Sequence, residues 1–368
     1  MPAWPIALAL LGGLAVLTAG AEALVRGAAR LALMAGISPL VVGLTVVAYG
    51  TSTPELVVSV KSVLAGNPDL AVGNVVGSNV FNVLLILGVS ALLAPLVVAR
   101  QLVRLEVPIM IGVSILLWVL AADGRLQWWD AAVLFAGAPI YSFWTIRRSR
   151  RETAERQAGD AGPAADAPAR GPKALVVSLI LVAAGLVLLV LGGRWFVDGA
   201  VALARTLGVS DLVIGLTIVA AGTSMPEVAT SIVATLRGER DIAIGNVVGS
   251  NIYNVVCILG VSGLVAGAGG TGLAVDPAIL AFDIPLMTAV AVACLPIFLS
   301  GMGIARWEGA LFLGYYAAYT AYLILKAAQH DALPVFSAVM LWFAVPLTVL
   351  GLAVSLWRHL RAGRPARG

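Results

Sequence analysis

Two stretches of this chain carry the groups that could do chemistry, and they are nearly one stretch written twice. Residues 50–55 read Gly-Thr-Ser-Thr-Pro-Glu and residues 222–227 read Gly-Thr-Ser-Met-Pro-Glu. Each sets a Thr-Ser pair and a carboxylate beside a Gly and a Pro inside an apolar run: Thr51, Ser52 and Glu55, then Thr223, Ser224 and Glu227. Pro lacks an N–H and clashes with the preceding turn, and Gly weakens a helix, so a helix is expected to break at each motif. A break frees backbone carbonyls as additional neutral oxygens.

A second polar motif follows each of these. Residues 73–82 and 245–254 both read Gly-Asn-Val-Val-Gly-Ser-Asn-x-x-Asn. Ser78 and Asn82 are four apart and share a helical face, as do Ser250 and Asn254. Asn79 and Asn251 point about 100° away, which suits capping or pinning of neighbouring backbone. Gly73 and Gly77, and Gly245 and Gly249, have the spacing that lets helices approach closely. A bland reading of these polar groups is interhelical hydrogen bonding. The chemical reading is a cation site: two carboxylates with hydroxyl, amide and backbone oxygens, and no Cys or His. Hard oxygens suit Na⁺ and Ca²⁺ rather than copper or zinc. A charge near −2 is neutralised by one Ca²⁺ or matched by two Na⁺, so the two ions are expected to compete.

The elements that must hold these groups are set by composition. Apolar residues make up 60% of the 368 positions and charged residues only 11%, with a mean hydropathy of +1.00. Soluble domains carry about a quarter charged residues. Cytosolic enzymes, disulfide scaffolds and disordered chains are thereby excluded, and an all-α polytopic membrane protein is expected, with the lipid bilayer as its partner. A bilayer-spanning helix takes about 20 apolar residues. Runs of that kind lie near 4–25, 39–60, 70–94, 105–121, 128–146, 174–196, 211–236, 242–266, 279–300, 307–326 and 333–357, eleven in all. The first is read as a retained span rather than a signal peptide, because it lacks a basic start and is too long. Both acidic motifs then fall inside spans. A carboxylate at mid-bilayer costs roughly 3 kcal/mol on the insertion scale, which makes it a functional-site hypothesis by default.

Positive charge collects on the cytoplasmic side. With the N-terminus outside, 18 Lys and Arg fall in inside loops and five outside (Lys61, Arg125, Arg194, Arg205, Lys326). The eleventh span delivers the Arg-rich tail, 358–368, to the cytoplasm. The net charge of +4 thus follows topology and implies no nucleic acid. Residues 149–173 read as a flexible cytoplasmic linker. Cys257 and Cys294 sit in apolar runs and read as packing. Arg outnumbers Lys 20 to 3, a bias that points to a bacterial source and so to the inner membrane.

Shifting the chain by 172 lays residues 36–94 on 208–266 with 35 of 59 positions identical. Fainter echoes, Glu106-Val-Pro with Asp283-Ile-Pro and Trp129-Asp130 with Trp307-Glu308, extend each unit to five spans, 1–148 and 174–328, with 333–357 appended. Glu106 and Asp283 are expected at helix starts, where acids meet the N-terminal dipole. Five is odd, so the second repeat must enter the membrane inverted. Inverted repeats are a transporter architecture.

The doubled GTSxPE with GNxxGSNxxN resembles the cation/Ca²⁺ exchanger superfamily, specifically its prokaryotic sodium/calcium exchanger branch, over ten of the eleven spans. The resemblance implies ten core helices, four of them lining the ion sites. It also implies alternating access by sliding of the long first helix of each repeat. Carried over residue by residue, the metal ligands are Glu55 and Glu227, Thr51 and Thr223, Ser52 and Ser224, the carbonyls of Ala48 and Ala220, Ser78 and Ser250, and Asn82 with Asn254. Members of the branch carry Asp where this chain has Asn254, which removes a titratable group and touches both stoichiometry and K⁺ dependence. The expected function is a secondary antiporter, not an enzyme, working as a monomer without a cofactor and exchanging Na⁺ for Ca²⁺. H⁺-coupled or K⁺-dependent cation exchange is the alternative, and a cation channel a more distant one. No nucleotide-binding motif suggests an ATP-driven pump.

Overall fold

The computed structural model describes residues 3–159, 171–270 and 272–362. The chain is a sequence of helices whose order runs twice. In the first half these are α1 (Ala3–Ala35), α2 (Pro39–Thr51), α3 (Thr53–Leu64), α4 (Pro68–Leu93), α5 (Leu102–Leu120) and α6 (Trp128–Gly159). In the second they are α7 (Pro172–Thr206), α8 (211–222), α9 (Met225–Leu236), α10 (Arg240–Ala268), α11 (Ile279–Leu299) and α12 (Arg306–Ala327). A last helix, α13, contains the apolar stretch Leu333–Trp357.

Among the described residues, seven helices are long and apolar enough to cross a membrane, and nine spans result if α2–α3 and α8–α9 each count as one bent span. The expected spans 128–146 and 307–326 are helices of 32 and 22 residues that fall outside this set. The outer surface is that of a membrane protein: Leu8, Leu11, Ile140, Phe143, Ile180, Val187, Leu341 and Trp342 are all exposed. Trp118, Trp128, Trp129 and Trp307 are exposed as well.

α4 and α10 form the centre, the most deeply buried of the long helices. α1 and α7 lie outside them and pack on each other along their lengths. Gly13, Gly20 and Gly27 of α1 recur every seven residues opposite Gly192, Gly185 and Ser178 of α7, so the two helices run antiparallel. A Cβ on Gly13 would stand 2.5 Å from the Phe196 backbone nitrogen, so only glycine allows this approach. At 33 and 35 residues these helices are roughly 50 Å long, longer than a bilayer core and well past the expected ends at 25 and 196.

Two short antiparallel strand pairs tie the halves together. β1 (Leu96–Val97), after α4, pairs with β4 (Gly303–Ile304), after α11; β2 (Arg125–Leu126), after α5, pairs with β3 (Leu273–Ala274), after α10. Wider, π-type turns recur at corresponding places, Gly43–Val47 with Gly215–Val219 and Asn82–Leu87 with Asn254–Leu259. Such turns in α-helices often mark functional sites.

Two sequence expectations are corrected. The linker expected from residue 149 begins later, because α6 continues to Gly159. Arg148 and Arg151 meet Glu152 and Glu155 one turn on, at 2.7 and 2.9 Å, pairs that support a solvated helix. The linker from 160 to 170 and the tail from 363 lie outside the described residues. Glu106 lies about one turn inside the start of α5, after a wider turn over Leu102–Glu106, rather than at its first residue. It is buried within α5, where its carboxylate accepts from Gln101 Nε2 (2.8 Å) and the Tyr141 hydroxyl (2.7 Å). Asp283 in α11 accepts from the Tyr319 hydroxyl in the same way.

Candidate cation site

Both helix breaks fall at the GTSxPE motifs. α2 meets α3 at 42° and α8 meets α9 at 67°. The hinge residues Ser52 (φ −82°, ψ 6°) and Ser224 (φ −87°, ψ 8°) occupy the sparsely populated bridge region, where many active-site residues sit. Pro54 and Pro226 follow in the first turn of α3 and α9, where the missing N–H costs nothing. Glu55 and Glu227 therefore stand at helix N-termini, whose dipole favours a negative charge. Each is 1% exposed.

The two motifs interlock across the repeats. Ser52 Oγ donates to Glu227 Oε1 at 3.0 Å, and Ser224 Oγ donates to Glu55 Oε1 at 2.9 Å. Each acid is thus held by the hinge serine of the other half. The Ser78 hydroxyl lies 3.2 Å from Ser224 Oγ. Thr51 faces Glu227 and Thr223 faces Glu55.

What remains unpaired defines the chemistry. Within the four repeated motifs, Glu55 Oε2, Glu227 Oε2, Asn82 Oδ1, Asn254 Oδ1, Ser250 Oγ and Thr223 Oγ1 are buried without a hydrogen-bond partner, as are side-chain atoms of six residues elsewhere among those described. Buried polar groups are normally satisfied, and each exception needs an explanation. All six of the motif atoms are oxygens, and two belong to carboxylates. Asn254 is fixed with its oxygen free because its Nδ2 donates to Asn79 Oδ1 (2.9 Å), while Asn79 Nδ2 donates to the Asn251 carbonyl (3.1 Å). Asn79 and Asn251, whose Nδ2 donates to the Val247 carbonyl, thus pin backbone and neighbours. Among the described residues no three His, Cys, Asp or Glu side chains gather, so the unpaired oxygens of the motifs are two of carboxylates and four neutral ones.

The two predicted carbonyls differ. In the first half Ser52 N–H donates to the Ala48 carbonyl at 3.0 Å, the ordinary helical bond, and the Thr51 hydroxyl lies 3.4 Å from the same oxygen. The break expected to free Ala48 therefore leaves its carbonyl bonded. In the second half Ser224 N–H turns to Ala221 instead, at 3.2 Å, which releases the Ala220 carbonyl from that bond.

Asn74 and Asn246 were not singled out by the sequence reading. Asn74 Nδ2 donates to the Glu55 carbonyl (3.3 Å) and Ser59 Oγ (3.0 Å); Asn246 Nδ2 donates to the Glu227 carbonyl (3.4 Å) and Ser231 Oγ (3.0 Å). Each amide fixes the first turn that carries a carboxylate. Their spacing was a usable signal, since Asn74, Ser78 and Asn82 recur every four residues on one face.

A cavity borders the site at Thr223. It measures about 320 Å³ and is lined by Thr53, Pro54, Val219, Gly222, Thr223 and Pro226, with Lys61, Arg194 and Asp198 also on its wall. Among the described residues none of these three charges takes part in an ion pair. Glu22 and Arg26, which correspond to Arg194 and Asp198 under the shift of 172, do pair, and Arg237 also clasps Glu22, its Nε donating at 2.9 Å.

The model of a family described as sodium/calcium exchanger protein matches the chain twice, over residues 5–147 and 177–325. Inner membrane protein YrbG of Escherichia coli is 37% identical over 227 residues, 61% of this chain and 67% of the relative. Sodium/calcium exchanger MaX1 of Methanosarcina acetivorans is 33% identical over 287 residues, 69% of this chain and 80% of the relative. A solved structure of the sodium-calcium exchanger NCX_Mj, soaked with zero Na⁺ and Ca²⁺, superposes with a TM-score of 0.73 at 31% identity, covering 88% of this chain and all of that one.

Proposed function

The chain belongs to the sodium/calcium exchanger protein family, in its prokaryotic branch, and on that premise we propose that this multi-pass cation/Ca²⁺ exchanger carries Na⁺ one way and Ca²⁺ the other through a single mid-membrane site between Glu55 and Glu227. The observation that carries the reading is that one oxygen of each acid and four neutral oxygens of the same motifs are buried without a hydrogen-bond partner. Oxygen sets of this kind hold hard cations. Glu55, Glu227, Ser52, Ser224, Thr51, Thr223, Ser78, Ser250, Asn82 and Asn254 are the side-chain ligands on this reading, with the Ala220 carbonyl preferred over that of Ala48.

Two bare carboxylates sealed away from water carry a large desolvation cost, whereas one Ca²⁺ or two Na⁺ neutralise them. The protein therefore passes through its sealed state only when loaded, and exchange follows from that asymmetry. No bond is made or broken, so the protein is a transporter rather than an enzyme.

The ten-helix core is read as two inverted repeats of five spans, with α13 appended. The double match to the family model supports the repeat. Inversion is supported by the antiparallel α1 and α7 and by the strand pairing, in which β1 joins β4 rather than its own equivalent β3. With the N-terminus outside and the Arg-rich end inside, Lys61, Arg194 and the cavity face outward and the Glu22–Arg237 pair faces the cytoplasm. Such a protein needs no partner copy, because both carboxylates come from one chain.

The test is ⁴⁵Ca²⁺ uptake into proteoliposomes under imposed Na⁺, K⁺ and H⁺ gradients in turn. Uptake driven by an outward Na⁺ gradient alone is expected; uptake driven only by ΔpH would replace Na⁺ with protons, and a strict K⁺ requirement would make the exchange K⁺-dependent. Unitary currents in a planar bilayer would favour a channel. Since a carboxylate must be deprotonated to take a cation, acidification should lower apparent Ca²⁺ affinity.

A further inference from the structure

Asn74 and Asn246 do the same work with their nitrogens and different work with their oxygens. Asn246 Oδ1 accepts from the Thr51 hydroxyl at 3.1 Å, a bond that crosses from one repeat to the other, and Asn246 is fully buried. Thr223, the repeat equivalent of Thr51, makes no such bond to Asn74. Its hydroxyl is buried without a partner, and Asn74 is only partly buried. The cavity wall runs along Thr223 itself.

A threonine hydroxyl has one proton and two lone pairs. When the proton goes to an amide oxygen, the lone pairs are left free and fixed in direction. Thr51, bound to Asn246, is thus held by the opposite repeat while it faces Glu227, whereas Thr223, which faces Glu55, has no amide oxygen of the opposite repeat to hold it. From this we infer that Asn74 and Asn246 are positioning residues for transport. Each offers its oxygen to the threonine of the opposite repeat, and the Thr223–Asn74 bond, absent here, forms when the cavity closes over a bound cation. A cation polarises the hydroxyl that ligates it and makes it a better donor, so occupancy favours the bond that seals the site. Nothing ligates the ion through Asn74; its action passes through Thr223. The inference rests on the exchange reading and adds a residue-level coupling between loading and closure.

The bond does not exist in this conformation, so it can be tested by coupling between groups that do not touch. Full-length protein in proteoliposomes is assayed for ⁴⁵Ca²⁺ uptake as Asn74→Ala, Thr223→Val and the double variant. Asn74→Ala should lower the maximal rate about tenfold, as loss of a cooperative buried hydrogen bond does. The double variant should transport at the maximal rate of the slower single variant. Thr223→Ser, which keeps the hydroxyl, should stay near the unaltered rate. Rate losses that multiply in the double variant would overturn the inference, because neighbours that never meet act additively.

A second measurement needs no driving gradient. Val57 lines the cavity and is exposed, so Val57→Cys reports whether the cavity is open to a membrane-impermeant maleimide, read against the unaltered chain with its own Cys257 and Cys294. Saturating Ca²⁺ should slow labelling of Val57→Cys severalfold, and adding Asn74→Ala should abolish that protection. Protection that survives Asn74→Ala, or labelling indifferent to every cation, would sink the proposal. If the unaltered chain transports while the cycle is additive, only this inference fails. If the unaltered chain moves no Ca²⁺ under any gradient, the exchange reading fails, and the labelling result decides whether Asn74 still governs closure.

Discussion

The seam between α2 and α10 and the seam between α8 and α4 are built from nearly the same residues and are in different states. On the first, a Cβ on Gly245 or Gly249 would lie 2.6 Å from the Leu40 or Leu44 carbonyl, and one on Gly43 would lie 2.8 Å from the Ile242 carbonyl. The backbones are in contact. On the second, Gly77 and Gly215 have nothing within 4 Å and Gly73 meets only Ile279, at 3.4 Å. Val41, Leu44 and Ala48 are fully buried, whereas Val219 is 52% exposed. The glycines that permit close contact are present on both sides, so chemistry allows either seam to shut and the conformation decides which does. Identical motifs in unequal states are what one site opened alternately to two faces requires.

The halves are not perfect copies where they close. Tyr49 and Tyr253 pack together on the shut side, and the Tyr253 hydroxyl lies 2.5 Å from Ser142 Oγ. The equivalent positions on the open side are Ala221 and Phe81, which have no hydroxyl. The shut seam thus has polar fastenings that its counterpart lacks.

The largest effect should come from the acids, where the halves are chemically equal. Glu55→Gln or Glu227→Gln is expected to reduce Na⁺-driven Ca²⁺ uptake at least about 100-fold, since a buried charge left without its counterpart costs about 3–5 kcal/mol. Retention of near-normal flux by either variant would break the symmetry of the pair. Next comes packing. Gly249→Val forces a side chain into the Leu44 backbone and should destabilise by about 1–3 kcal/mol, seen as a lower melting temperature in detergent. Gly77→Val enters open space and should leave the melting temperature unchanged while slowing transport, because that seam then cannot shut. Equal melting temperatures would mean the seams do not differ as described.

A smaller difference should follow Tyr253→Phe. Loss of its hydroxyl contact to Ser142 is worth about 1 kcal/mol, and it should make the shut face easier to open, measured as faster labelling of a cysteine placed on that face. The smallest effect belongs to the Glu22 cluster. Its partners Arg26 and Arg237 are more than half exposed, and such pairs contribute about 0–1 kcal/mol. Glu22→Gln should change the balance of the two faces slightly, and the change should fade in high salt.

Much of this is legible in the amino-acid sequence. A Pro-Glu step after Gly-Thr-Ser breaks a helix because of what Pro and Gly do to their own backbone, and both breaks lie where the motifs predict. The double motif also gave the family. Other features needed neighbours far off in the chain. Glu106 reads as a helix start beside Pro108, yet its environment is set by Tyr141, 35 residues on. The run from 149 looked like linker because its composition is polar, but two Arg–Glu pairs one turn apart carry the helix on to Gly159. The Ala48 carbonyl looked free because the motif implies a break, yet a bend of 42° is mild enough to keep the bond from Ser52.

The sequence by itself determined the oxygens available, the bends that present them and the duplication that supplies two acids, because each depends on a residue type and on a few adjacent positions. The tertiary structure alone decided the partners. Ser52 holds Glu227 and Ser224 holds Glu55 across separations of 175 and 169 residues, which no local pattern encodes. It also decided that one glycine seam is shut and the other open. Two copies with the same local preferences are nearly equal in energy, and only their packing against the rest of the protein can make them differ.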